Sequence, residues 1–214
     1  MAAPNPDATS AYDLPTLQFY SEEAPDYVSS APGGASRHLA GFLDLLVPGS
    51  TILELGCGGG RDAEAMLIAG FVVEATDGVP EMAKKAQARI GQPVRVLRFD
   101  QLDASATYDA IWANASLLHV PRSSLPKVIK RIFRALRPGG FHFASFKGGR
   151  QEGRDRFGRY FNYLSQAELE ALYCTSVGWE MIAIGEYMGG GYEGGQGPWL
   201  SITVRKPKED RIRC

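Results

Sequence analysis

The chain is poor in cysteine, in charge imbalance and in long apolar runs. Cys57, Cys174 and Cys214 are its only three cysteines among 214 residues, and no two share a paired spacing. That excludes a disulfide framework and points to a reducing cytoplasm. Lys and Arg number 23 against 24 Asp and Glu. No field of one sign therefore draws the chain to nucleic acid or to an acidic membrane. No apolar run approaches membrane-spanning length. The opening residues lack the charged-then-apolar order of a secretory leader, so none is expected. There are no internal repeats, and no metal site is expected. A hydrophobic content of 44% suffices for a core, and the length suits one domain with an appendage. The expected plan is a mobile terminus over residues 1–15, one domain over 16–206 opened by a helical cap to about residue 35, and a polar tail over 207–214.

Glycine, by contrast, is plentiful at 25 residues. The most informative stretch is Glu54-Leu55-Gly56-Cys57-Gly58-Gly59-Gly60. It follows a short apolar run and precedes a helical pattern. Strand, glycine loop and helix form a nucleotide-cofactor site in an open α/β sheet. Glycine lets the backbone turn sharply and lets a ligand approach without meeting a Cβ. The helix that follows offers unpaired N–H groups. A dinucleotide fingerprint, counted from Gly56, places its third glycine at position 61, where Arg61 stands.

Regular alternation surrounds this motif. Strands are expected over 51–55, 71–76, 94–99, 108–113 and 141–147. Helices are expected over 36–46, 61–69 and 80–90, with Pro80 in a first turn. Leu125, Val128, Ile129, Ile132, Phe133 and Leu136 fall on one helical face, and Pro138-Gly139-Gly140 ends that helix. Ser165 and Glu168 form a capping box. Two closing strands over 179–184 and 199–204 are joined by a glycine-rich segment, and 148–159 reads as a loop rich in Gly and Arg. The predicted fold is α/β, a doubly wound, seven-stranded, mostly parallel sheet with a C-terminal antiparallel hairpin. The crevice at the carboxyl ends of its strands is the expected ligand site.

Four pieces in order resemble the class I S-adenosylmethionine-dependent methyltransferases. They are Glu54-x-Gly56-x-Gly58-x-Gly60; Asp77 with Pro80-Glu81-Met82; the run from Tyr108 to Asn114; and Leu136-Arg137-Pro138-Gly139-Gly140-Phe141. The run from Trp112 to Arg122, and Ala144-Ser145-Phe146-Lys147-Gly148, resemble a bacterial small-molecule subgroup of that family. The resemblance implies a Rossmann-like methyltransferase fold and S-adenosylmethionine as cofactor, with S-adenosylhomocysteine as product. The acceptor it implies is a small molecule, not nucleic acid or membrane, and the expected assembly is a monomer or homodimer.

The resemblance also implies roles. Gly56, Gly58 and Gly60 would carry the cofactor's amino-acid portion, and Glu54 would receive its ammonium. Asp77 would accept hydrogen bonds from the ribose diol, while Gly78 and Met82 line the adenine wall. Asp100 and Gln101 would read the adenine, with Asp103 a competing acid. Ala113 and Asn114 would flank the methyl donor. His119 either takes a proton from the acceptor or only shapes the pocket. Tyr20 and Tyr27 either close as a lid or pack a terminal helix. Arg154, Arg159 and Tyr160 would bind an anionic acceptor group, against the alternative of a solvated loop.

Two other classes stay open. A nicotinamide oxidoreductase is disfavoured by Arg61 and by the closing hairpin. A non-catalytic S-adenosylmethionine-binding module keeps the fold and the pocket without turnover. A nucleic-acid methyltransferase is disfavoured because strand four is followed by Asn114-Ala115-Ser116-Leu117, not by an Asn-Pro-Pro-aromatic motif.

Overall fold

A computed structural model describes residues 10–30, 34–149, 151–192 and 194–208. The expectations for residues 1–9 and 209–214 fall outside them. The elements in chain order are α1 (Leu14–Glu22), α2 (Ala24–Ser30), α3 (Leu39–Leu43), β1 (Thr51–Leu55), α4 (Arg61–Ile68), β2 (Val72–Asp77), α5 (Pro80–Ile90), β3 (Arg95–Val96), β4 (Tyr108–Ala113), α6 (Leu125–Ala135), β5 (Leu136–Lys147), β6 (Gly153–Arg154), β7 (Tyr160–Phe161), α7 (Gln166–Ser176), β8 (Glu180–Gly190) and β9 (Gln196–Arg205).

Seven strands form one sheet in the order β3-β2-β1-β4-β5-β9-β8. The first five are mutually parallel, and β9 runs antiparallel to both β5 and β8. The chain therefore leaves β1 to one side for β2 and returns to its other side for β4. A crevice opens where the strand order reverses. The doubly wound architecture expected from the sequence is the architecture observed.

Sequence explains the layers. Ile52, Leu53, Ala110, Ile111 and Trp112 are fully buried, as central parallel strands covered on both faces require. Trp112 stacks on Phe143 at 4.1 Å on the face covered by α3 and α4. On the other face α6 inserts Leu125, Val128, Ile129 and Ile132. The capping box of α7 forms as read, Ser165 N–H donating to Glu168 Oε2 at 2.8 Å.

Several boundaries differ. The cap is two helices, not one, and it begins at Leu14. Residues 11–15 are not loose: Ala11 and Asp13 are buried, and Asp13 N-caps α1 through Thr16 N–H at 3.0 Å. Pro138-Gly139-Gly140 does not lie between helix and strand. Leu136 turns straight into β5, and the triplet forms a bulge where the pairing with β4 shifts register. A Cβ at Gly140 would sit 2.9 Å from the Asp109 carbonyl oxygen, so the bulge needs glycine there. The closing strands are longer than expected and absorb most of their glycine-rich link. Strand three shrinks to Arg95–Val96, because residues 99–101 wind into a 3₁₀ turn. The Gly/Arg loop contains β6, which pairs with β7 just beyond its end, and Arg150 within it lies outside the described residues.

Candidate functional site

Three cavities of about 100, 110 and 360 Å³ open at the carboxyl ends of the strands. Tyr27 and Ala115 border all three, so they are arms of one crevice. Ala115 takes φ of 52°, uncommon for a residue with a Cβ. Its N–H donates to Ser145 Oγ at 2.8 Å. Ser145 in turn donates to Asn114 Oδ1, and Asn114 Nδ2 to Ser36 Oγ, each at 2.7 Å. Ser36 is seated on Asp62 through its N–H and its hydroxyl, both at 2.7 Å. The corner of the crevice is thus fixed by a continuous polar network.

The first arm runs between the glycine loop and residues 97–99. Gly56, Gly58, Asp77, Gly78 and Met82 line it, with Leu97, Arg98 and Phe99 opposite and Tyr12, Leu17 and Tyr20 above. The loop bends through left-handed backbone at Gly56 (φ 76°), Gly58 (φ 55°) and Gly60 (φ 77°). Asp77 supports it, its two carboxylate oxygens accepting the N–H groups of Gly58 and Val79 at 2.9 Å each. Burial still raises the Asp77 carboxyl to about 6, against the lowering effect of the backbone N–H groups of Val79, Gly58 and Gly78.

The second arm is short and acidic. Glu54, Asp62 and Asn114 line it with residues 56–59, and Arg61 stands at its border. Glu54 is 4% exposed, and its Oε2 has no hydrogen-bond partner among the described residues. Burial, then the charges of Asp62 and Asp77, push its carboxyl well above the ordinary carboxylate range. An unpaired buried acceptor beside two further carboxylates is a place built for a cation.

The third arm is the largest, and His119 and Tyr20 stand between it and the first. His119 closes a 3₁₀ turn over Leu117–His119. Its Nδ1 lies 2.6 Å from the Tyr160 carbonyl oxygen, which can only accept. Nδ1 therefore carries the hydrogen, and Nε2 of the neutral ring accepts from the Tyr20 hydroxyl at 2.9 Å. Burial lowers the imidazole to about 4, so the neutral ring is the working form. Arg159 donates to the same Tyr20 hydroxyl at 3.1 Å.

Each expected site residue can now be placed. Tyr20, Tyr27, Glu54, Gly56, Gly58, Asp77, Gly78, Met82, Asn114 and His119 border the crevice. Gly60 does not. It packs on α5, where a Cβ would lie 3.1 Å from Ala86. Ala113 is sealed inside β4, and Ala115 takes the position expected of it. Asp100 and Gln101 also lie off the crevice. Asp100 pairs with Arg98 at 3.2 Å, and Gln101 Oε1 accepts the Arg98 N–H, because the 3₁₀ turn rolls both side chains outward. Arg154 holds Asp13 through two hydrogen bonds of 2.6 and 2.9 Å and faces no cavity. The Tyr160 hydroxyl donates to Glu152 at 2.5 Å, so only its carbonyl serves the site, through His119. Arg159 borders the third arm but is 2% exposed and paired with Asp155 at 2.6 Å. Sequence reading missed Ser36, Asp62, Arg98, Ala115 and Ser145. Of these only Asp62 carried a signal, as an acid in the first turn of the helix after the glycine loop.

A family model described as a methyltransferase domain matches residues 52–140. The ubiquinone biosynthesis O-methyltransferase of Xanthomonas oryzae pv. oryzae is 34% identical over 115 residues, which make up 50% of this chain and 46% of that protein. The chain spans about half the length of the curated relatives it matches. Among solved structures, a SAM-dependent methyltransferase from Methanosarcina mazei superposes with a TM-score of 0.71 at 19% identity, over 78% of this chain and 97% of that one. The 1,6-didemethyltoxoflavin-N1-methyltransferase of Burkholderia thailandensis, solved with 1,6-didemethyltoxoflavin and S-adenosylhomocysteine, has a TM-score of 0.68 at 22% identity, over 93% of each chain. At these identities the two structures establish the likeness of fold.

Proposed function

We propose that the chain is a class I S-adenosylmethionine-dependent methyltransferase and that it moves a methyl group from S-adenosylmethionine to an O, N or S atom of a small acceptor. The observation that carries this reading is the meeting of three arms at Tyr27 and Ala115. One arm suits a nucleoside, one a cationic amino-acid end, and the third a separate molecule. The residues present fit the cofactor. Glu54 Oε2, unpaired and buried, would receive the ammonium. Residues 56–59 would carry the adjoining chain over bare backbone, and Asp77 would accept from the ribose hydroxyls. Leu97, Arg98, Phe99 and Met82 would wall the adenine.

When bound, the cofactor supplies a methyl group on a positively charged sulfur, and its displacement needs alignment more than acid–base help. The chain supplies that alignment. Ala115 and Tyr27 fix the corner where the arms meet. His119 holds Tyr20 by its hydroxyl, and Tyr20 borders the first and third arms. Tyr20 and Tyr27 of the α1–α2 cap border the junction. Both nitrogens of His119 are engaged, so its part is to orient Tyr20 and not to meet the acceptor directly. Among the described residues no helix is long and apolar enough to cross a membrane. A cytoplasmic monomer or homodimer belongs to the same reading, and Cys57 and Cys174 are both unpaired.

Calorimetry with S-adenosylhomocysteine and with NADH tests the assignment. One site for S-adenosylhomocysteine, with NADH at least about tenfold weaker, is expected. Preference for NADH, or no binding of S-adenosylhomocysteine, would overturn it. Labelled-methyl incorporation from S-adenosylmethionine into metabolite pools then tests turnover. Binding without transfer into any pool would leave a non-catalytic module.

A further inference from the structure

The third arm has a composition unlike the other two. Its volume of about 360 Å³ exceeds theirs combined, which leaves room for a one- or two-ring compound. Tyr27, Phe161, Tyr192 and Trp199 supply aromatic walls from four separate parts of the fold. Lys147 and Arg61 stand on its border, and among the described residues no carboxylate lines it. Two acids close to it are engaged: Asp155 pairs with Arg159 at 2.6 Å, and Glu23 accepts from the Tyr192 hydroxyl at 3.2 Å. Lys147 ends β5 with its ammonium 4.4 Å above the Phe161 ring, so its charge lies against an aromatic face. The carboxylates of Glu54, Asp62 and Asp77 all lie toward the other two arms. Among the described residues the lining carboxylates thus belong to the first two arms and Lys147 to the third, while Arg61 borders both the second and the third.

We infer that the third arm takes a planar aromatic acceptor bearing an anionic group, stacked among Tyr27, Phe161, Tyr192 and Trp199 with its charge toward Lys147. This rests on the methyltransferase reading and adds the class of acceptor to it. The aromatic walls favour a flat π-face over an aliphatic body of equal size. Lys147 favours an anion over its neutral counterpart, and no carboxylate among the described lining residues opposes such a group. A cationic acceptor is disfavoured by the same arrangement.

The probes are naphthoate, its neutral amide and cyclohexanecarboxylate, titrated into full-length protein first saturated with S-adenosylhomocysteine. Naphthoate is expected to bind about tenfold more tightly than the amide and about tenfold more tightly than the aliphatic acid. In Lys147→Met the ratio of naphthoate to amide affinity falls to about one, whereas Lys147→Arg keeps it. Amide or aliphatic acid binding as well as naphthoate overturns the inference, and so does a ratio that survives Lys147→Met. Failure of S-adenosylhomocysteine to saturate the protein overturns the methyltransferase reading instead. The two failures are therefore distinguished at the first titration. Thermal unfolding of both Lys147 variants identifies any loss due to misfolding, and a ratio that falls in a folded Lys147→Arg also overturns the inference.

Discussion

The hydroxyl of Tyr20 donates to Nε2 of His119 across 2.9 Å, joining the first helix of the cap to the turn after β4. The two residues are 99 positions apart in sequence. Burial raises the Tyr20 phenol well above its ordinary value and lowers the His119 imidazole. Each group is thereby held neutral, and their bond is a neutral one. His142 has the same two kinds of partner, the Ile111 carbonyl on Nδ1 at 3.0 Å and the Tyr173 hydroxyl on Nε2 at 2.9 Å, but it is sealed in the core. The chain uses one arrangement twice, once at the crevice and once for the fold alone.

Tyr20→Phe keeps the ring, and with it the edge contacts to Phe19 and Tyr27 at 5.3 and 5.0 Å. It removes the hydroxyl that donates to His119 Nε2 and accepts from Arg159. Stability should fall by about 1–2 kcal/mol, the cost of taking this partner from His119 Nε2 and from an Arg159 N–H. S-adenosylhomocysteine affinity should change by less than about threefold. Turnover with an acceptor found by labelled-methyl incorporation should fall about tenfold or more, in kcat and not in the KM for S-adenosylmethionine. Wild-type turnover in this variant would remove Tyr20 from the site's chemistry.

Asp77 sets a pH dependence. Its carboxyl is raised to about 6 by burial, so below that pH it is protonated and accepts less well from ribose hydroxyls. Affinity for S-adenosylhomocysteine should be flat above about pH 7 and should weaken as pH falls through 6, by at most about tenfold per pH unit. Asp77→Asn should bind more weakly at neutral pH and lose this dependence. For the fold the sign is opposite. A carboxyl raised above its unfolded value favours folding below the unfolded value, and that contribution is gone once pH rises through 6. Calorimetry between pH 5 and 8 on both proteins tests the affinity side.

His142 bears on stability alone. Burial lowers its imidazole to about 4 from an ordinary 6.5. Below pH 6.5 the unfolded chain takes up a proton that the folded chain refuses. Its contribution is therefore full above 6.5 and is lost as pH falls toward 4. Asp77 and Glu54, raised by burial, act the other way. The comparison that isolates the ring is His142→Gln, which can still donate to a carbonyl. Denaturant melts at pH 7 and pH 5 should show the variant losing less stability on acidification, by up to about 1.4 kcal/mol per pH unit. Parallel losses in both proteins would assign the acid sensitivity elsewhere.

The sheet was legible because period and punctuation agree. Buried runs at 52–55 and 110–113, glycine stops at 70 and 91, and one sharply amphipathic helix each point to the same layer order. The crevice was legible where backbone makes it: the glycine loop at Gly56 and Gly58 follows from strand, turn and helix, and the family resemblance adds Asp77 and Gly78. It was illegible where distant chain segments supply it. Whether Arg159 faces solvent, substrate or Asp155 depends on a hairpin turn at Gly158 and on the rings of Phe19 and Tyr192, at 4.8 and 5.5 Å. Asp100 and Gln101 looked placed for adenine because the strand was read as running to 99. A strand that ends at Val96 turns them outward.

The same contrast separates two glycines that look alike in the motif. A Cβ at Gly56 would lie 2.5 Å from Ser116 Cβ, and Ser116 cannot retreat because its hydroxyl is bonded to the Leu55 carbonyl at 2.6 Å. Gly56→Ala therefore meets both left-handed strain and overlap, and stability should fall by about 3 kcal/mol. At Gly58 a Cβ meets only Met82 Cε, at an ordinary 3.7 Å. Backbone strain alone then lowers stability, by about 1–2 kcal/mol. Gly58 lines both the nucleoside arm and the acidic arm, and the Met82 it faces lines the first. Its added methyl group should raise the Kd for S-adenosylhomocysteine at least about tenfold in a protein that still folds. Thermal unfolding and calorimetry on the two variants separate the roles: Gly56 holds the loop against β4, and Gly58 leaves space for the ligand. A folded Gly58→Ala that binds S-adenosylhomocysteine like wild type would remove the glycine loop from the binding site.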